Sequence, residues 1–341
     1  MPVMAWTLDC RILDFRSALA GHAALADRIA LGDRIALGGG QATSFSSPLL
    51  WLTGLERWLL LAGLAIALGG LAGHGLARNY KGEFPVPLPD PWVLRGSVLG
   101  LAAAAALTIT ALADPATAAN LARPPVAGPR AHGTLVFAVI ELACFAIVAL
   151  LVKIGRQRNA LQPLLAVVLA EALRSHPEGV LPLAGALLVI CHVLPALLWT
   201  GMLIYVVRTA VAWRDHPAAM RELFKLYADA AAWLFGVVVA TGLITAVLLV
   251  PLDSVLTTWY GRLLLIKAAL VAVTAALALA GRTWIRREAT AGAGPARATR
   301  REVIVLAAVL AITGLLTVIT PPASPIYGAR GAVRASAGRP R

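Results

Sequence analysis

Long apolar runs constrain this chain more than any other feature of its sequence. Eight of them follow one another between residues 57 and 320 of the 341-residue chain. An α-helix needs about 20 apolar residues to cross the hydrocarbon core of a bilayer. Helices also satisfy their own backbone hydrogen bonds there, where no water is present to do so. The runs therefore predict an all-α, polytopic integral membrane bundle of about eight transmembrane helices.

The predicted spans are 57–77, 93–113, 133–153, 160–174, 181–207, 223–250, 261–282 and 302–320. The fourth is the shortest, with Pro163 inside it and only about 15 apolar residues. Residues 51–322 thus form the predicted membrane domain. Residues 1–50, with the tandem repeat "DRIALGDRIALGGG", are interpreted as a weakly ordered or amphipathic leader, and residues 323–341 as a basic flexible tail.

The distribution of Lys and Arg predicts an orientation. The first, third, fifth and seventh connectors hold sixteen basic residues, whereas the alternate connectors hold four. Cytoplasmic loops of membrane proteins carry the excess of positive charge. Both termini are therefore predicted outside. The net charge of +13 is explained by these connectors, and it indicates a lipid bilayer rather than a nucleic acid as partner.

A histidine interrupts the apolar stretch "ICHVLPALLWTGMLIYVVR", residues 190–208. A polar group buried without a partner costs roughly 1 to 3 kcal/mol, so His192 needs either a helix neighbour or a ligand. In the predicted topology it lies in the outer half of span five, on the same side as His132 and His176. Imidazole suits both copper states and thioether favours Cu(I), so these histidines and Met202 are candidate copper ligands, with simple packing as the alternative.

Ionisable residues inside the predicted spans form a second group. Glu141 lies on span three and Glu171 at the end of span four, and such groups usually face a cavity or a partner. Tyr260 and Lys267 share one face of span seven, and Arg262 lies at its outer mouth. Either these residues line a polar pathway, or Lys267 pairs with one of the glutamates while Tyr260 and Arg262 anchor the interface. A catalytic nucleophile–base pair or phosphate loop is not evident, so a non-enzymatic function is predicted.

Three stretches share a pattern with a known family: "HVLPALLWTGML", "FKLYADAAAWLFGVVVATGLITAVLLV" and "LTTWYGRLLLIKAALVAVTAALALAGR". Together, over about residues 185–322, they resemble the CopD-type copper-resistance membrane domain. The matching positions are His192, Trp199, Gly201, Phe224, Thr241, Gly242, Tyr260, Gly261, Arg262 and Lys267, followed by Arg301, Glu302, Pro321 and Pro322. The chain departs from the family pattern at Pro195, Met202 and Lys225.

The resemblance implies a multi-pass protein of the inner (plasma) membrane that serves copper uptake or homeostasis. Copper would arrive at the outer face, where a periplasmic or extracellular copper-binding protein is a possible partner. Two alternatives share the histidine evidence. One is a redox protein that carries haem b between His192 and His132, since bis-His ligation needs two facing imidazoles. The other is an assembly partner that helps to metallate a copper oxidase.

Overall fold

The structure is a computed structural model. It describes residues 48–78, 87–113, 129–175, 183–250 and 255–287, and a few residues between 309 and 317. These residues belong to one compact unit, Pro48–Arg341. Most of the predicted leader, most of the eighth span and the whole tail lie outside the described residues.

Seven α-helices occupy the described part of the chain. They are α1 (Pro48–Arg78), α2 (Val93–Ala113), α3 (Pro129–Lys153), α4 (Leu161–Leu173), α5 (Ala184–Ala212), α6 (Pro217–Leu249) and α7 (Trp259–Arg287). All except α4 contain a stretch long and apolar enough to cross a membrane. No strand occurs within the described ranges. The prediction of an all-α polytopic membrane protein is confirmed.

Helix α4 is the exception to the predicted pattern. Its 13 residues extend about 20 Å, well short of the roughly 30 Å of a bilayer core. Gly155, with a φ of +75°, and the 3₁₀ turn Gln157–Ala160 reverse the chain directly after α3. Because α4 runs back antiparallel to α3, its C-terminal end reaches only the level of the middle of α3. Arg174, the residue directly after α4, therefore lies beside Glu141 near the middle of α3.

Small residues bring α1 and α5 into close contact. A Cβ atom on Gly69 would overlap the backbone of Gly201, and one on Gly73 would meet the ring of Tyr205. Such small residues let membrane helices approach closely. Since the contacts advance in the same direction along both helices, α1 and α5 run parallel. The chain therefore returns to its starting side between them, as the predicted topology requires.

The core lies between α1, α3, α4 and α5, where large apolar side chains are fully buried. Its centre contains Leu60, Leu64, Phe145, Leu164 and Leu197. A second cluster joins α5 to α6 through Tyr205, Trp213 and Leu223. The outer face of α6 instead exposes large apolar side chains such as Trp233, Leu243 and Val247. In a bundle surrounded by lipid, such a face contacts acyl chains rather than water.

Candidate functional site

The imidazole of His192 is held by α6 through one nitrogen. Its Nδ1 lies 3.0 Å from the carbonyl oxygen of Val238 and 3.0 Å from Oγ1 of Thr241. A carbonyl oxygen can only accept a hydrogen bond, and the Thr241 hydroxyl donates its own hydrogen to the carbonyl of Val237 at 2.6 Å. Nδ1 must therefore be the donor. When the imidazole is neutral, this tautomer leaves the lone pair on Nε2, the form in which imidazole binds metals.

Gly242 of α6 and Lys267 of α7 also lie near this imidazole. A Cβ atom on Gly242 would come within 3.0 Å of His192 Cε1, so glycine is what lets the ring approach α6. Lys267, on α7, lies within electrostatic range of the imidazole. Three helices thus bring together His192, Thr241, Gly242 and Lys267, which all belong to the motifs singled out in the sequence.

The other predicted ligands are Met202, His132 and His176, and none of them is seen beside His192 in the described part of the chain. Met202 is buried in the α5–α6 cluster. It follows His192 by ten residues, about 15 Å along the helix, so the two side chains do not meet at one ion. His132 lies on α3, but its side chain is not among those described, and His176 lies outside the described residues. Within the described part of the chain, His, Cys, Asp and Glu form no group of three or more suited to a metal.

A second polar centre lies between α1, α3 and α4, and we term it the carboxylate–arginine cluster. Its members, each about nine-tenths buried or more, are Glu56, Arg57, Glu141, Glu171 and Arg174. One guanidinium nitrogen of Arg174 donates to Glu141 at 2.8 Å and to Glu171 at 2.6 Å. Arg57 donates to the other oxygen of Glu171 at 3.1 Å. Thr110 of α2 donates to Glu56 at 2.8 Å.

The cluster is incompletely paired. Its three carboxylates face only two guanidinium groups. Four of its buried polar atoms have no hydrogen-bond partner: Oε2 of Glu56, Oε2 of Glu141, Nε of Arg57 and Nε of Arg174. Since buried polar groups are normally satisfied, this concentration of unpaired atoms distinguishes the cluster from the rest of the interior.

Arginines bind the two carboxylates that were considered as partners of Lys267: Arg174 binds Glu141, and Arg57 and Arg174 bind Glu171. Lys267 lies within electrostatic range of His192. Arg57 is the first residue of the predicted span 57–77, and Arg174 is the last residue of the predicted span 160–174. Because α4 is short, Arg174 lies inside the bundle. The sequence signal that could have indicated this position is a basic residue directly after a 13-residue, largely apolar run.

Helix α7 begins with an aromatic and basic pair. The Nε of Arg262 donates to the carbonyl of Leu256 at 3.0 Å, and its guanidinium lies 5.3 Å from the ring centre of Trp259. Both side chains are exposed, whereas Tyr260 is buried. Arg262 therefore has the contacts of an interfacial anchor, one of the two roles predicted for it.

The opposite end of the bundle holds a further polar contact that the sequence did not suggest. The hydroxyl of Tyr205 donates to the carbonyl of Pro89 at 2.9 Å and accepts from Nδ1 of His74 at 3.0 Å. Arg208 stacks on Trp92, with 3.6 Å between its guanidinium carbon and the ring centre. These contacts fasten the segment before α2 onto α5.

Fold and site together define a polytopic all-α membrane protein with polar groups buried between its helices. Residues 221–320 match the family model described as CopD, copper resistance protein D. The match includes Thr241, Gly242 and Lys267, and it confirms the resemblance to this family over residues 221–320; His192 precedes the matched region. It associates the chain with the copper-resistance and copper-homeostasis membrane proteins. No curated protein and no solved structure shows a significant match to the chain.

Proposed function

We propose that this protein carries copper inward across the plasma (inner) membrane, and that His192 is the first ligand the ion meets inside the bundle. The observation that supports this most directly is the hydrogen bonding of the imidazole. Nδ1 donates to α6, so in the neutral imidazole the lone pair available to a metal is on Nε2. A hydrogen bond of this kind to the distal nitrogen orients metal-binding histidines and fixes their tautomer.

His132 is proposed as a separate ligand at the outer entrance. It precedes Glu141 by nine residues on the same helix, about 13 Å towards the start of α3, so the ion would meet it before His192 and not bind both at once. The start of α3 is on the same side of the bundle as the N-terminal half of α1. Arg57, in that half of α1, is bonded to Glu171. His176, shortly after α4, is proposed as a third.

The proposed direction rests on the basic connectors, which assign the end carrying His192 to the outer face. Copper would bind there as substrate, delivered by a periplasmic or extracellular copper-binding protein. Further along α5, Met202 would border the path of the ion, as a soft thioether that favours Cu(I).

The test compares His192→Asn with His216→Asn, which alters an exposed histidine before α6. Cellular copper accumulation is measured at matched expression in a strain that lacks the wild-type gene. We expect accumulation to fall to the level of the deletion strain for His192→Asn and to stay at the wild-type level for His216→Asn. Unchanged accumulation in the His192 variant would refute the proposal.

Two measurements separate the alternatives. If deletion abolishes the activity of a copper oxidase without changing total copper, the protein is an assembly partner instead. If the purified protein shows a Soret band that His192→Asn removes, it is a haem b redox protein.

A further inference from the structure

We propose that the carboxylate–arginine cluster binds and releases one proton, and that Glu141 is the carboxylate that takes it. The site lies in the N-terminal helices, before the region matched to the copper-resistance family. Proton binding there is independent of whether the protein transports copper, so the inference goes beyond the proposed function.

The charge balance of the cluster is the first argument. With every group ionised, three carboxylates and two guanidiniums leave one uncompensated negative charge among side chains that are at most 11% exposed. An unpaired charge in a water-poor interior is costly, and buried groups commonly avoid it by changing protonation state. One bound proton brings the cluster to neutrality.

The hydrogen bonds indicate which carboxylate accepts the proton. Both oxygens of Glu171 are bound by guanidinium groups, from Arg57 and Arg174. Glu141 has one oxygen bound by Arg174, whose charge it shares with Glu171, while its Oε2 is buried and has no partner. The side chain of Glu141 is 0% exposed, the lowest value in the cluster.

All neighbouring elements contribute to the electrostatic surroundings of Glu141. Helix α1 supplies Arg57, and α4 and the residue after it supply Glu171 and Arg174. Glu56 acts on Arg57 rather than directly on Glu141, and the thiol of Cys144 lies within electrostatic range of Glu141 on α3 itself. On protonation an O–H bond forms at Oε2 of Glu141, and the cluster changes from one negative charge to none. On release that O–H bond breaks and the proton passes to water.

The proton site and His192 lie at nearly the same depth. Gly69 lies opposite Gly201, and Gly73 opposite Tyr205, so α1 and α5 keep a constant register. Extending that register places Leu60 at the level of His192. Arg57 lies about one turn before Leu60 on α1. A proton and a metal ion bound at one level can influence each other through the helices that separate them.

The test is an infrared titration of the full-length, copper-free protein in lipid nanodiscs, in H₂O and in D₂O. The wild type should show the carbonyl band of a protonated carboxyl group, which shifts in D₂O and disappears as the pH rises. Glu141→Gln should lack this band. Glu222→Gln, which changes an exposed acid on α6, should retain it.

Three results would overturn the inference: no such band in the wild type at any pH at which it is folded, an unchanged band in Glu141→Gln, or a band lost in Glu56→Gln but kept in Glu141→Gln. If Glu141→Gln does not fold, Glu141→Asp keeps the carboxyl group but moves it. The band should then appear at a shifted frequency, and an unaltered frequency counts against the assignment. Because no copper is present, the result is independent of the His192 transport test.

Discussion

Replacement of Arg174 by glutamine tests whether the cluster holds the N-terminal helices together. The guanidinium donates to two carboxylates, at 2.8 Å and 2.6 Å, and the three side chains are 0% to 11% exposed. Removing one partner of a buried ion pair costs about 3 to 5 kcal/mol, because it leaves an uncompensated charge. Here Glu141 loses the guanidinium that binds it, and Glu171 loses one of its two. We therefore expect the upper half of that range, roughly 4 to 5 kcal/mol.

The free energy of unfolding can be measured by titrating the micelle-embedded protein with SDS and following helix content by circular dichroism. Arg214→Gln is the matched control, since Arg214 contacts Asp215 at 3.6 Å with both side chains about 80% exposed. Exposed pairs contribute little, so this variant should unfold like the wild type.

A second substitution makes the test sharper. At a pH high enough to ionise Glu141, adding Glu141→Gln to Arg174→Gln lowers the excess negative charge of the cluster again, so the double variant should then be more stable than Arg174→Gln alone. The reasoning is refuted if Arg174→Gln costs no more than Arg214→Gln, or if the second substitution lowers stability further.

Other predictions concern the helix contact, the histidine and pH. Gly201→Ala should destabilise the bundle by about 1 to 3 kcal/mol in the same SDS titration, whereas Gly75→Ala, with nothing within 4 Å, should not. Thr241→Val removes one of two acceptors from His192 and should lower copper accumulation less than His192→Asn does. If folded Glu141 holds a proton that the unfolded chain releases at neutral pH, stability should fall by up to about 1.4 kcal/mol per pH unit as pH rises. Glu141→Gln should remove that slope, and an equal slope in both proteins would contradict the assignment.

The sequence predicted the helices well because each apolar run must form its backbone hydrogen bonds within itself. The predicted span 93–113 coincides with α2 (Val93–Ala113), and the predicted fourth span differs from α4 (Leu161–Leu173) by one residue at each end. What the run did not show is how far α4 reaches relative to α3. That depends on the tight turn at Gly155, whose positive φ is a property of the folded backbone.

The sites were predicted less completely, since each is made by residues far apart in sequence. His192 meets Thr241 across two helices, and spacing along either helix cannot specify the rotation of one against the other. Arg57 was assigned to the end of a span, where a basic residue is ordinary. Its partner Glu171 lies 114 residues away, so only the packing of α1 against α4 brings the two together.

The short length of α4 has an electrostatic consequence beyond the residues it positions. An α-helix carries the equivalent of about half a negative elementary charge at its C-terminal end. A full-length span would place that end at a solvated membrane surface. Helix α4 instead ends at Leu173, beside the cluster, so its backbone dipole adds to the carboxylate excess where the medium screens charge poorly. This end of the bundle should therefore act as a potential well for cations, which attracts protons and metal ions and disfavours anions.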